Sequence, residues 1–298
     1  MYMYFVIIIC SVVLMLLLLK IYIKSTTGWC HSQVCLKGKT VLVTGANCGI
    51  GFETAIDLAK RDARVILACR NEEAAKEAVD KIVKETRNDN IVYKLDIISN
   101  EKHIDILINN AGAGGLGNTV SEDGLLATMQ VNYFAPFLLT NLLLDILKKS
   151  PSGRIVNVAS MVAKNAKIDI QKLNEFKGDM EQYGRSKLCN ILFTIELASR
   201  LKDSNITTYS LHPGVVRTEL CRRMPYLMRK ITNFVIETFF KTAPEGAQTS
   251  IYLAVANDIE KFNGQHFHDC HLVERYPSCN DTLAKDLWIK TEKILKQY

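Results

Sequence analysis

The stretch that most constrains this chain is Lys39-Thr-Val-Leu-Val-Thr-Gly-Ala-Asn-Cys-Gly-Ile-Gly51, a buried strand that runs straight into a glycine loop. Val41, Leu42 and Val43 supply the apolar run. Gly45, Gly49 and Gly51 then let the backbone turn sharply and approach a ligand closely. Phe52 to Lys60 continues with helical periodicity, so the first amides of a helix face the loop, an arrangement that attracts phosphate. The whole predicts a dinucleotide site. The spacing is Gly-x3-Gly-x-Gly rather than Gly-x-Gly-x-x-Gly, and taken alone it also fits a structural turn.

Ahead of this unit, Met1 to Leu19 carry no charge, and Ile21 to Ile23 extend the apolar run past Lys20. That is long enough to cross a bilayer as a helix. A cleaved signal peptide is the competing reading. Against it stand the missing basic n-region, the length of the run, and lysines where small cleavage-site residues belong. The expectation is a transmembrane anchor over 1–23, a juxtamembrane linker over 24–38 and one domain over 39–298. Lys20, Lys24, Lys37 and Lys39 all follow the run, which places the domain in the cytosol, with Tyr2, Tyr4 and Tyr22 at the two interfaces. The sequons at Asn205 and Asn280 are discounted by that topology.

A chain of 298 residues suits one large domain. Its net charge of +6 is spread out, so a nucleic-acid partner is not expected and a weak preference for anionic membrane is. Nine scattered cysteines read as reduced thiols. Cys30, His31 and Cys35 match no strong zinc spacing, and His266, His268, Cys270 and His271 fall where a strand would alternate them between faces, so no metal is expected.

Further along, Ala63 to Arg70 reads as a second strand and Ile91 to Leu95 as a third. Ile104 to Gly112 is a fourth strand with its turn, Arg154 to Ser160 a fifth and Ile206 to His212 a sixth. Asp123 to Lys148 is a long helix with Asn132, a poor helix former, inside it. Tyr183 and Lys187 stand four apart on one helix face. An ammonium within about 4 to 6 Å of a phenol lowers its pKa, which would make Tyr183 a usable acid/base. Arg222 to Lys241 reads as a basic amphipathic helix, either core packing or a lid on the membrane surface. Thr242 to Glu245 is a capping box, and a terminal helix starts at Asp281.

Taken together, Thr44-Gly-Ala-Asn-Cys-Gly-Ile-Gly51, Asn109-Asn-Ala-Gly112, Asn132, Ser160, Tyr183-Gly-Arg-Ser-Lys187 and His212-Pro-Gly214 give the chain a clear resemblance to the short-chain dehydrogenase/reductases. Its membrane-anchored retinol dehydrogenase branch is the most similar. The resemblance implies a single doubly wound, Rossmann-type parallel sheet of the α/β class. It implies cofactor contacts from Gly45, Asn47, Gly49, Ile50, Gly51, Asp96, Asn110, Gly112, Tyr183, Lys187, Pro213, Gly214 and Thr218. Arg70 stands where an acidic residue would accept the NAD ribose hydroxyl, and a guanidinium there favours the 2'-phosphate of NADP(H).

By resemblance, Asn132 serves a water and proton relay and Tyr183 exchanges the substrate proton. Ser160 holds the substrate oxygen and Lys187 also binds the nicotinamide ribose. The expected reaction is interconversion of an apolar, retinoid-like alcohol and its carbonyl in the endoplasmic reticulum membrane. Two alternatives stay open, a reductase of steroid or lipid-derived carbonyls and a nucleotide-binding membrane scaffold without turnover.

One departure from the family supports the scaffold. Only Ile97 to His103 separates the third strand from the fourth, where relatives have a whole helix. The link must cross about 22 Å and reaches at most ~26 to 29 Å when extended. The sequence therefore predicts an extended link, no helix there, and a thinly covered, wet patch of sheet that a homodimer partner or membrane would have to cover.

Overall fold

The computed structural model describes residues 2–93, 101–216 and 240–296, with the isolated positions 230 and 238. Helix α1 (Tyr2–Thr26) opens the chain. Its most apolar 18-residue stretch, within Met3–Thr26, has a mean hydropathy of 2.9, and none of that stretch is buried against the rest of the chain. The strands are β1 (Thr40–Thr44), β2 (Arg64–Ala68), β3 (Ile91–Tyr93), β4 (Ile106–Asn109), β5 (Gly153–Val158), β6 (Ile206–His212), β7 (His266–His268) and β8 (His271–Leu272). Among the described residues they form one sheet in the order β3-β2-β1-β4-β5-β6-β7-β8. Every pairing is parallel except β7 with β8. The order reverses between β1 and β4, which puts a ligand crevice at the carboxyl ends of those strands.

Both faces of a parallel sheet must be covered, and β1 and β4 are accordingly buried along their whole length. On one face Val41, Val43, Val65 and Ile108 pack with α2 (Gly49–Lys60), α3 (Glu72–Thr86) and α7 (Ala243–Val255). On the other, Leu42, Ile66, Leu107 and Ile155 pack with α5 (Ala135–Leu147), α6 (Asp179–Arg200) and α8 (Asp281–Leu295). Helix starts follow the local chemistry. Asn71 caps α3 by accepting from the Ala74 amide at 2.8 Å, and Thr242 and Glu245 form the expected capping box on α7.

The long helix read over Asp123 to Lys148 is broken up. A short α4 (Ala127–Met129) leads into a π turn (Gln130–Phe134) before α5 begins. Asn132 lies in that wide turn, a device that recurs at functional sites.

The short link before β4 falls largely on residues 94–100, outside the described residues, and its described end, Glu101 to His103, carries no helix. The expected wet patch is a correction. Leu42, Ile66 and Leu107 are fully buried, Ile104 at the end of the link belongs to the same cluster, and Ala68 at the end of β2 and Val92 at the sheet edge are half-buried. The link is also tied down. Glu101 pairs with Arg64 at 3.0 Å. Four residues on, buried Asp105 accepts from the Thr40 amide at 2.8 Å, Lys39 Nζ at 3.0 Å and Ser150 Oγ at 2.6 Å. The amphipathic helix expected over 222–241 also lies outside the described residues, apart from positions 230, 238, 240 and 241.

Between α1 and β1 the chain hugs the domain. Thr27 and Leu36 are buried, the Cys30 amide donates to Gln248 Oε1 at 3.1 Å, and Arg61 Nη1 donates to the Ser32 carbonyl at 2.7 Å. The histidines set aside as metal ligands have other partners. His266 Nδ1 bonds Ser210 Oγ at 2.9 Å, His271 Nδ1 bonds the Asp269 carbonyl at 2.6 Å, and His268 stacks on His212.

Candidate active site

The glycine loop leaves β1 at the switch point. Gly45 and Gly49 have φ of 64° and 60°, which disfavours any side chain there. At Gly45 a Cβ would sit 3.0 Å from the Ala111 Cα, and at Gly51 it would meet Asn110 Nδ2 and the Gly45 carbonyl. Gly51 therefore secures close packing within the loop. Cys48 supplies no side-chain cap to α2, so the helix amides point into the crevice without a side-chain acceptor from that residue. Asn47 and Gly49 are half-buried and Ile50 is buried. A backbone cradle that lacks Cβ atoms at Gly45, Gly49 and Gly51, at a helix start, fits the phosphates of a dinucleotide.

The β4 turn is tied to this loop by side chains. Thr44 Oγ1 accepts from the amides of Asn110 at 3.0 Å and Ala111 at 2.9 Å, and Asn110 Nδ2 donates to the Thr44 carbonyl at 2.8 Å. Gly112 is exposed, and a Cβ on it would lie 3.1 Å from Lys187 Nζ and 3.5 Å from Asn132 Oδ1. Arg70 stands exposed just past β2, beside the same crevice edge. Pro213 and Gly214 follow β6, with Gly214 at φ 89° against the buried Lys241 side chain. Asp96 and Thr218 lie outside the described residues.

Ser160, just past β5, and Tyr183 and Lys187, on α6, come together next to the crevice. The Ser160 hydroxyl stands close enough to the Tyr183 phenol to act on its ionisation. Lys187 Nζ lies 5.7 Å from the centroid of the Tyr183 ring and donates to the Val158 carbonyl at 2.9 Å. Fully buried Asn132 accepts from the Ala113 amide at 2.7 Å and donates to the Ala113 carbonyl and to Ser186 Oγ, each at 2.9 Å. Ser186 Oγ in turn donates to the Tyr183 carbonyl at 2.7 Å. The turn after β4, the π turn and α6 are thus held together by one amide.

The electrostatics correct one expectation. Burial pushes the Tyr183 phenol above its ordinary pKa, opposed by the Ser160 hydroxyl. The physical reason is burial of the phenol, while the Lys187 ammonium is engaged by the Val158 carbonyl. Burial also lowers the Lys187 pKa to about 8. At neutral pH the pair is a neutral phenol beside a mostly charged amine.

Sequence reasoning missed the polar struts beneath the site. Asn109 Nδ2 donates to Thr140 Oγ1 at 3.0 Å and to Asn157 Oδ1 at 2.8 Å, and Asn157 Nδ2 donates to Thr194 Oγ1 at 2.9 Å. They cross-link β4, β5, α5 and α6. Their signal was present as single asparagines closing or interrupting apolar strand runs, in Ile-Leu-Ile-Asn109 and Ile-Val-Asn157-Val.

A switch-point crevice of this construction defines a Rossmann-type α/β protein. The family profile described as short chain dehydrogenase matches residues 39–225. Retinol dehydrogenase 14 of Mus musculus is 43% identical over 289 residues, covering 87% of this chain and 86% of its own. Retinol dehydrogenase 11 of Homo sapiens is 42% identical, covering 88% and 87%. Among solved structures, an uncharacterised protein of Mycobacterium paratuberculosis superposes with a TM-score of 0.73 at 28% identity, covering 91% of this chain and 98% of that one. A short chain dehydrogenase of Escherichia coli complexed with NADPH gives 0.61 at 26%, covering 80% and 99%. The chain belongs to the short-chain dehydrogenase/reductase family and is an oxidoreductase related to the retinol dehydrogenases.

Proposed function

We propose that this protein reduces an apolar, retinoid-like aldehyde or ketone with NADP(H) at a membrane of the endoplasmic reticulum, its domain facing the cytosol. The observation that carries the reading is the convergence of Ser160, Tyr183 and Lys187 beside a glycine cradle at the switch point. When bound, the nicotinamide supplies the hydride. Tyr183, kept neutral by burial, gives its proton to the substrate oxygen as charge develops there, the role of a general acid. Ser160 hydrogen-bonds the same oxygen, and stabilising developing charge is commonly the largest single contribution to such a reaction. Lys187, held by the Val158 carbonyl, fixes its ammonium next to Gly112 and Asn132, where a ribose hydroxyl finds a donor.

NADP rather than NAD is supported by Arg70, a fork-shaped cation at the end of β2, and by the NADPH-complexed relative. Retinoid-like substrates are supported by relatives above 40% identity that are retinol dehydrogenases. The test is to incubate the purified full-length protein in lipid nanodiscs with NADPH or NADH and a panel of aldehydes and ketones. NADPH consumption with an apolar aldehyde, exceeding that with NADH at least about tenfold, is the expected result. Cofactor binding without turnover of any carbonyl would replace this reading by the scaffold.

A further inference from the structure

The membrane helix and the nicotinamide-side turn are joined by a chain of contacts without slack. Met3 to Ile23 is twenty-one residues, a length of about 32 Å at 1.5 Å per residue, against a hydrocarbon core of about 30 Å. The apolar span is therefore used up where Lys24 begins. Lys24 Nζ is 2.6 Å from Glu245 Oε1 in the first turn of α7. Neither charge belongs in hydrocarbon, so the first turn of α7 stands at the level of the lipid headgroups.

The next residues leave no free tether. Thr27 is 8% exposed, and its hydroxyl donates to the Ile23 carbonyl at 2.7 Å. The Gly28 amide donates to Asp269 Oδ1 at 3.2 Å, and the Asp269 carbonyl occupies the space a Cβ on Gly28 would need. Asp269 also pairs with Lys241 Nζ. The Lys241 side chain packs directly on Gly214, at 2.6 Å from Cδ to where a Cβ would be, and its amide donates to the Val215 carbonyl at 3.1 Å. Lys241 is only 5% exposed, a buried cation held by Asp269.

Around this clasp the large apolar side chains face outward. Trp29 follows Gly28 and is 47% exposed, Val215 follows Gly214 and is 37% exposed, and Leu272, three residues after Asp269, is 48% exposed. Scattered apolar residues on a surface mean little, but each of these three lies within three residues in sequence of a contact that the end of α1 ties to the headgroup level. A bilayer interface is the environment that accepts an exposed tryptophan beside lysines.

We propose that Lys24, Gly28, Asp269 and Lys241 form a rigid clasp that docks the rim bearing Trp29, Val215 and Leu272 onto the lipid bilayer, so that a membrane-dissolved carbonyl enters the site directly from lipid. The proposal rests on the oxidoreductase reading above and deepens it by fixing which face meets the membrane. The clasp residues position the site and take no part in the chemistry.

The test compares the full-length protein in phosphatidylcholine nanodiscs with a variant carrying a six-residue Gly-Ser insertion between Thr26 and Thr27. Turnover is measured on a long-chain aldehyde that partitions into lipid and on a short water-soluble aldehyde. The insertion should lower the long-to-short ratio of kcat/KM about tenfold or more. An unchanged ratio overturns the proposal, whether both rates hold or both fall together. In parallel, lipids brominated near the headgroup end should quench Trp29 fluorescence, taken as the difference between the unaltered chain and Trp29→Phe. Absence of quenching also overturns the clasp, and this measurement needs no turnover. If neither aldehyde reacts with the unaltered protein while Trp29 is quenched, the reductase reading fails and the docked face stands.

Discussion

Replacing Asn132 with alanine separates a side chain that builds the site from one that merely fills the core. The amide makes three hydrogen bonds, from the Ala113 amide at 2.7 Å and to the Ala113 carbonyl and Ser186 Oγ at 2.9 Å. Ser186 keeps its own bond to the Tyr183 carbonyl, so its loss is small. The Ala113 amide and carbonyl both lose a partner. An unmet buried donor costs about 1 to 3 kcal/mol and a lost neutral bond about 1, which puts the change at about 2 to 4 kcal/mol. For a domain of this size that corresponds to a fall in Tm of roughly 5 to 15 °C. The assay is thermal unfolding of the purified protein in nanodiscs at one scan rate, paired with an NADPH titration, because the turn after β4 borders the glycine loop. Asn132→Asp should be worse than alanine, since it buries a charge at a fully enclosed position. An alanine variant within about 0.5 kcal/mol of the parent, a change typical of surface sites, would refute the view that this one amide holds three elements together.

Arg70→Asp should weaken NADPH binding by roughly tenfold to a hundredfold, the loss of a charge-assisted contact of about 1.5 to 3 kcal/mol, and should improve NADH binding. Titration of both cofactors by fluorescence checks it, and an unchanged NADPH affinity would make Arg70 a bystander. Lys187→Met should abolish turnover yet stabilise the cofactor-free protein at pH 7. Moving the amine from 10.5 to about 8 costs the fold about 3 kcal/mol, and about 1 is returned as the hydrogen bond to Val158, leaving a gain of about 2. The sign follows from linkage. Between about 8 and 10.5 the unfolded chain holds a proton that the folded chain has released, so the native protein gains stability as pH rises through that window, and the advantage of methionine should fade across it. Denaturant midpoints at pH 7 and pH 10 measure this, and an advantage that grew with pH would contradict it. The Val158 carbonyl retains Asn190 Nδ2 at 3.3 Å in the variant, so no orphan acceptor confuses the comparison.

Much of this architecture was legible because its parts are local. Strand six was read at its true ends, Ile206 to His212, since a run rich in β-branched and aromatic residues is bounded there by Ser204-Asn205 and Pro213-Gly214. The capping box at Thr242 and the terminal helix from Asp281 were read as they stand for the same reason. What depended on distant partners was not legible. The π turn around Asn132 exists together with hydrogen bonds to Ala113 and Ser186, neither of which periodicity reveals. Burial of Leu42, Ile66 and Leu107 reflects three-dimensional packing that counting residues in the 97–103 link does not capture. Tyr183 and Lys187 were correctly put on one helical face, but where the ammonium points is decided by the Val158 carbonyl, twenty-nine residues back in the chain. The segment expected to be a linker makes contacts to residues more than two hundred positions away, beyond the reach of any local pattern.

The central claim is that Tyr183 delivers the proton that accompanies hydride transfer. Its most direct test is Tyr183→Phe, which keeps the ring and removes only the hydroxyl beside Ser160. Single-turnover reduction of an apolar aldehyde with saturating NADPH should slow by about 10² to 10⁴, the usual worth of a general acid, while the NADPH dissociation constant stays within about twofold of the parent. Retention of more than about a tenth of the parent rate, with cofactor binding intact, would contradict the account.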